Sequence, residues 1–292
     1  MRVLIAGCGY TGCALGERLT AEGHTVFGLR RNPEALPPGI RPVTADLASP
    51  DPLDALPRGL DHVVHAVSPD GSGDDAYRAS YVDGLRNLLR ILSARGERPR
   101  RVIFVSSTRV YAQRRGEWVD ESSPTEPQGY AARCLLEGER LALCGPFPSV
   151  VLRAGGIYGP GRTGAIQRAL GGTPYDGPPV YTNRVHRDDL AGILRHLMFL
   201  PNPEPVYLGV DHEPADRRVV FDWLASYLRL QNLPKAGSTR SRSGTNKRCS
   251  NARLVASGYD FQYPTFREGF AGILREMNDL AGQGVPWQAS PG

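Results

Sequence analysis

Lysine is nearly missing from this chain. Of its 35 lysine and arginine residues only Lys235 and Lys247 are lysines. Ahead of Lys235, every fixed positive side chain is therefore an arginine, a group that stays protonated and does not relay protons. Long apolar runs are missing too. Nothing approaches the roughly 18 consecutive apolar residues of a membrane helix, so no part is expected to span a bilayer. The five cysteines, Cys8, Cys13, Cys134, Cys144 and Cys249, show no metal-like spacing and are odd in number. That argues against a zinc module and a paired disulfide framework, and for a reducing, cytoplasmic setting. A strand-like run begins at Arg2, which leaves no room for a signal peptide. Basic residues are not interleaved with aromatics, so a nucleic-acid partner is not expected.

What is present supports a real core: 292 residues, 40% of them hydrophobic, enough for one large domain or two modest ones. The net charge of +5 is mild and suits an anionic cofactor. The first thirty residues organise the rest. Arg2-Val3-Leu4-Ile5-Ala6 reads as a strand, and Gly7-Cys8-Gly9-Tyr10-Thr11-Gly12 is an uninterrupted G-x-G-x-x-G. Cys13, Ala14, Leu15 and Leu19 give a helical stripe ending near Gly23, and Thr25 to Leu29 reads as a second strand. This is the βαβ unit that binds dinucleotides. Gly7 allows the tight turn, Gly9 lets a pyrophosphate approach the backbone, and Gly12 lets helix and strand pack closely. The phosphates would lie at the helix N-terminus, beside Tyr10 and Thr11. An acid after the second strand would hold the ribose of NAD. This chain has Arg30-Arg31 instead, which favours the 2′-phosphate of NADP, with NAD as the alternative.

Further strands are expected at Arg41–Leu47, Asp61–Ser68, Arg101–Ser107 and Ser149–Arg153, and helices at Ala76–Arg95 and Gly129–Leu143. The alternation predicts an α/β fold, a Rossmann-type doubly wound parallel sheet. Asp188-Asp189 read as caps of a helix from Leu190 to Leu200 rather than as a catalytic pair, and no metal site is expected.

Ser106-Ser107-Thr108-Arg109-Val110-Tyr111 resembles the Ser-Ser-x-x-Val-Tyr segment of extended short-chain dehydrogenases/reductases, the NAD-dependent epimerase/dehydratase group. Val63-Val64-His65-Ala66, Arg153 to Gly161 with its Tyr158-Gly159-Pro160-Gly161, and Val185-His186-Arg187-Asp188-Asp189-Leu190-Ala191 resemble its later landmarks, in order, so the likeness runs to about residue 275. The resemblance implies that Asp46 contacts the adenine, that His65 and Ala66 lie beside the cofactor, and that Ser107 and Tyr130 face the nicotinamide. It implies a dinucleotide domain over 1–153 and a smaller, mainly substrate-binding domain over 154–292, with about 180–200 returning to the first. The resemblance also points to a homodimer through Ala76–Arg95 and Gly129–Leu143.

The family reaction uses a tyrosine as proton carrier, a serine or threonine on the substrate oxygen, and a lysine four residues after the tyrosine. A free tyrosine titrates near pH 10, and a nearby cation lowers this by roughly 1–3 units. Here Tyr130 is followed at i+4 by Cys134, while Arg133 at i+3 could supply part of the charge. The chain thus looks like an atypical branch. Tyr158, Asn183 and His186 are candidate substrate contacts, His186 also an alternative acid. The C-terminal third holds an amphipathic helix (Val219–Leu230), a basic stretch from Lys235 to Ser250, a closing helix (Phe266–Leu280) and a frayed tail from Gln283 to Gly292. The basic stretch reads either as a solvated loop or as a site for a substrate phosphate. Two functions compete: an NADP-dependent oxidoreductase or epimerase-like enzyme acting on a carbonyl or secondary alcohol, a nucleotide sugar among the options, and a sensor that binds NADP(H) without turnover. Besides a second copy of the chain, a small-molecule substrate is expected as partner.

Overall fold

A computed structural model describes residues 1–49, 55–127, 129–172, 178–230 and 245–282. The chain opens with β1 (Arg2–Ala6), α1 (Tyr10–Ala21), β2 (Thr25–Arg30), β3 (Ile40–Thr44) and β4 (His62–His65). β3 stops at Thr44 rather than at Leu47. It contains Pro42, which gives no ladder hydrogen bond and is tolerated because β3 is an edge strand. The helix expected over Ala76–Arg95 is α2 (Asp74–Arg78) and α3 (Gly84–Ala94), joined by a π-helical turn (Ala79–Asp83). Then come β5 (Arg101–Ser107), the short β6 (Glu117–Val119), α4 (Tyr130–Leu143), β7 (Ser149–Ala154) and β8 (Gly156–Tyr158). The remainder comprises α5 (Gly164–Leu170), β9 (Tyr181–Thr182), β10 (Arg184–His186), α6 (Arg187–Phe199), β11 (Val206–Gly209), β12 (Ala215–Asp216), α7 (Arg217–Tyr227), β13 (Lys247–Cys249), α8 (Ala252–Ala256) and α9 (Phe266–Gly282).

Seven parallel strands form one sheet in the order β11-β7-β5-β4-β1-β2-β3. The chain runs outward from β1 to β3, then starts again on the other side of β1 with β4. A doubly wound sheet opens a crevice at the carboxyl ends of its strands where the order reverses. The strands are nearly continuous apolar runs because helices cover both faces. Alternation decides which residue meets which layer. Val3, Ile5, Val64 and Ile103 pack with Leu15 and Leu19 of α1 and with Leu190, Ile193, Leu194 and Leu197 of α6. Leu4, Ala6, Val63 and Phe104 pack with Leu85, Leu88, Leu89 and Leu92 of α3. Burying one such side chain contributes roughly 1.5–3 kcal/mol.

A second apolar core joins α5, α7 and α9 through Tyr158, Ile166, Phe221, Leu224, Phe266 and Phe270, all beyond Ala154. The stretch of about 180–200 holds β10 and α6, and β11 after it completes an edge of the main sheet. Two helix starts differ from expectation. α6 is capped by the His186 ring, whose Nδ1 accepts from the Asp188 N–H at 3.3 Å. Asp188 pairs instead with Arg187, and buried Asp189 accepts from the Gln262 and Tyr263 N–H groups and the Tyr259 hydroxyl. α7 begins at Arg217, capped by Asp216, rather than at Val219. Of the basic stretch, 235–244 lie outside the described residues and 247–249 form β13; the tail over 283–292 is also outside them. Among the described residues no helix is long and apolar enough to cross a membrane.

Candidate active site

A cavity of about 980 Å³ lies along the carboxyl ends of six sheet strands. Its lining runs from Gly7 and Gly9 after β1, through Arg30–Asn32, Asp46 and Ala66–Ser68, to Ser107, Ala154 and Gly155. Each turn glycine has a separate physical reason. Gly7 has φ +82°, and a Cβ there would stand 2.5 Å from the Val67 nitrogen. A Cβ on Gly12 would stand 2.9 Å from the Gly7 carbonyl oxygen, so helix and turn pack backbone to backbone. Around Gly9 nothing lies within 4 Å of that position, which leaves open space on the cavity side of the turn. Gly9 is also the N-cap of α1 and supplies no side-chain acceptor, so no side chain competes for the first-turn N–H groups. These features suit a pyrophosphate. Tyr10 and Thr11 line the same end, as do Arg30, Arg31 and Asp46. Arg31 is ion-paired with Asp70, which also lines the cavity.

His65 departs from the reading that put it beside the cofactor. Its side chain shares the Val63 face of β4 and is fully buried, with its ring 5.5 Å from that of Phe104. Burial drives its pKa down to about 4. Ala66, one residue on, does line the cavity.

Ser107 stands at the cavity's far end, where its Oγ accepts from the Arg109 N–H at 3.2 Å. The strand end is pinned from behind. Ser106 donates to buried Glu139 at 2.6 Å, Glu139 pairs with buried Arg153, and Arg153 donates to the Tyr111 hydroxyl at 2.7 Å. Tyr111 is thereby a buried support. Tyr130 opens α4, with its ring edge-on to Tyr77 at 5.3 Å, and is not among the residues lining this cavity or the next. Arg133 faces solvent. Cys134, at the position of the family lysine, donates its thiol to Asp74 at 3.4 Å. Burial and that hydrogen bond push its pKa up to about 11, so it stays a neutral thiol.

A second cavity, about 900 Å³, adjoins the first; Ile157 and Arg162 line both. Thr108, next to Ser107, lines it, as do Tyr158, Asn183, Arg168, Arg184 and Lys247. Among the described residues its lining contains four cationic side chains and no carboxylate. The Asn183 amide is used at both ends, donating to the Lys247 carbonyl at 3.1 Å and accepting from the Cys249 N–H at 2.6 Å. His186 is set back from the lining. It is buried between Tyr263 and Tyr158, with ring centroids at 3.9 and 5.3 Å, and burial drives its pKa down to about 4. It is a neutral helix cap here rather than a substrate contact. Sequence reasoning missed Arg162 and Thr108. Arg162 follows directly on the Tyr-Gly-Pro-Gly segment, a usable signal, whereas Lys247 lay in the basic stretch read either as a solvated loop or as a phosphate site.

A family model described as the NAD dependent epimerase/dehydratase family matches residues 3–171. Protein YeeZ of Escherichia coli (strain K12) is 30% identical over 277 residues, covering 90% of this chain and 96% of that protein. A 3-diazoavenalumate denitrifying reductase of Streptomyces sp is 28% identical, covering 92% and 99%. Among solved structures, a Methylobacillus flagellatus protein described as an NAD-dependent epimerase/dehydratase superposes with TM-score 0.79 at 36% identity, over 95% of this chain and 98% of that one. MoeE5 in complex with UDP-glucuronic acid and NAD (TM-score 0.81, 22% identity, 96% and 99% covered) and human SDR39U1 with NADPH (0.75, 23%, 94% and 99%) share the fold.

Proposed function

The chain belongs to the NAD-dependent epimerase/dehydratase family, and on that premise we propose that it is an NADP-dependent oxidoreductase acting on an anionic carbonyl compound or secondary alcohol, nucleotide sugars included. The observation that carries this reading is the junction of the two cavities at Ile157 and Arg162, with Ser107 on one side and Thr108 on the other. A sensor needs a dinucleotide cavity alone; a second, equally large cavity opening beside it is what a two-substrate reaction requires.

In this reading the turn Gly7–Gly12 holds the pyrophosphate, Asp46 faces the adenine end, and Arg30 with Arg31 receives the 2′-phosphate. A bound nicotinamide would supply hydride chemistry. Ser107 holds the substrate oxygen, and Arg162, Arg168 and Arg184 attract its negative charge. Tyr130 and Arg133, outside the lining, are given no contact with substrate.

The test is calorimetry with NADPH and NADH. NADPH binds more tightly to the intact chain, and Gly9→Val, which fills only open space, keeps the fold by circular dichroism while losing at least 100-fold in affinity. A folded Gly9→Val variant with unchanged affinity overturns the proposed site.

A further inference from the structure

We propose that Lys247 is the acid–base residue of this site, the group whose ammonium donates a proton to the substrate oxygen. The inference rests on the oxidoreductase reading and adds to it a proton donor contributed by the C-terminal part of the chain.

Strand register brings Lys247 there. β13 pairs in parallel with β6, Lys247 beside Glu117 and Cys249 beside Val119. Arg248 takes the opposite face, over the rings of Trp118 and Tyr181 at 5.0 and 4.8 Å. Lys247 and Cys249 share the inward face. Cys249 packs with Val110 and Tyr111, just beyond the Ser107–Thr108 strand end. Lys247, one strand repeat earlier, lines the second cavity together with Thr108. The Asn183 amide fixes the backbone on both sides of this repeat.

Lys247 is only 5% exposed. Among the described residues its ammonium has one hydrogen-bond partner, the Thr245 hydroxyl at 3.3 Å, and no carboxylate within ion-pair distance. Burying an unpaired charge is costly unless a ligand or a proton transfer uses it. Among the described residues the charged or titratable groups that act on it are Cys249 on its own strand and Arg109 from the turn after β5, while Arg162, Arg168, Arg184, Tyr158 and Tyr181 line the same cavity. Burial lowers the Lys247 pKa; Cys249 partly offsets this and the Arg109 charge adds to it, so the proton is held more loosely than on a free lysine. Tyr130, by contrast, lines neither cavity, and its helix offers a neutral thiol where the family lysine would be. In reduction, an N–H bond of Lys247 breaks as an O–H bond forms on the substrate. A bound reduced dinucleotide would supply the hydride to the carbonyl carbon, and the amine regains its ammonium form by taking up a proton from solvent.

Two lysines make the test direct. Protein labelled with ε-13C-lysine gives two resonances, assigned through Lys247→Arg, and their titration needs neither cofactor nor substrate. Lys247 titrates below the ordinary lysine range of about 10.4; a midpoint at or above that value overturns the proposal. NADPH oxidation is then followed with UDP-4-keto sugars, glyoxylate and aromatic aldehydes. Lys247→Arg, which keeps the charge but cannot release its proton, and Lys247→Met both lose at least 100-fold in kcat. Their NADPH affinity stays within twofold, and Tyr130→Phe stays near the intact rate. Full turnover by Lys247→Arg overturns the acid role, as does loss confined to Tyr130→Phe. If none of these compounds turns over, the resonance titration decides alone. Failure of the intact chain to bind NADPH sinks the dinucleotide reading and leaves the titration standing.

Discussion

Both ring nitrogens of His65 lie buried without a hydrogen-bond partner among the described residues. Burial depresses its pKa from 6.5 to about 4. Between those values the unfolded chain binds a proton that the folded chain refuses. The stability is therefore complete above pH 6.5 and is lost progressively as pH falls toward 4. His62 behaves the same way, driven to about 4 by burial. At pH 5 each such histidine costs about 2 kcal/mol. His65→Leu removes one of them along with two unsatisfied nitrogens. Urea denaturation at pH 7 and pH 5 will show the variant's acid-induced loss smaller by about 2 kcal/mol; an unchanged loss rules the explanation out. Arg30 and Arg31 act at the same scale. In the proposed NADP reading, exchanging both for alanine removes charge-assisted contacts worth about 1.5–3 kcal/mol with the 2′-phosphate, so the NADPH-to-NADH affinity ratio, read by calorimetry, falls toward one.

Between elements, α4 packs closely against the π-helical turn and β5. A Cβ on Gly138 would stand 2.5 Å from the Tyr81 carbonyl oxygen and 2.6 Å from the Phe104 ring. Gly138→Ala must push α4 away from β5 and stretch the Ser106–Glu139–Arg153 contacts. Overpacking of this kind costs about 1–3 kcal/mol; equal urea midpoints for the variant and the intact chain would refute it. Elements of this size are also where the sequence is readable. β1, α1 and β2 announce themselves by period and by the glycine turn between them, and α3 by Leu85, Leu88, Leu89 and Leu92 one helical face apart. β13 does not: three residues carry no period, and β6, which gives it an inward face, lies far back in the chain. Tyr130 shows the complementary limit. Its spacing to Cys134 is plain in the sequence, but whether its helix start turns toward the cavity depends on Tyr77, a contact no spacing encodes.

For the molecule as a whole, the two apolar cores meet beside the cofactor turn. The Tyr10 hydroxyl donates to the Pro160 carbonyl at 2.8 Å, and the guanidinium groups of Arg162 and Arg187 lie over the Tyr10 ring at 4.3 and 5.3 Å. Tyr10 lines the first cavity, and Arg162 lines both. In the proposed reading one side chain faces two ligands, which makes their affinities interdependent, and thermodynamic linkage requires that dependence to be reciprocal. With UDP as the anionic probe, the factor by which it changes the NADPH dissociation constant will equal the factor by which NADPH changes that of UDP, and Arg162→Met will bring both toward one. A coupling that survives Arg162→Met at full size would assign it elsewhere. The sign is informative in itself. Two anions competing for one guanidinium repel each other's binding, so the molecule would release an anionic product more readily while its dinucleotide stays bound, an order of events written into the position of a single arginine.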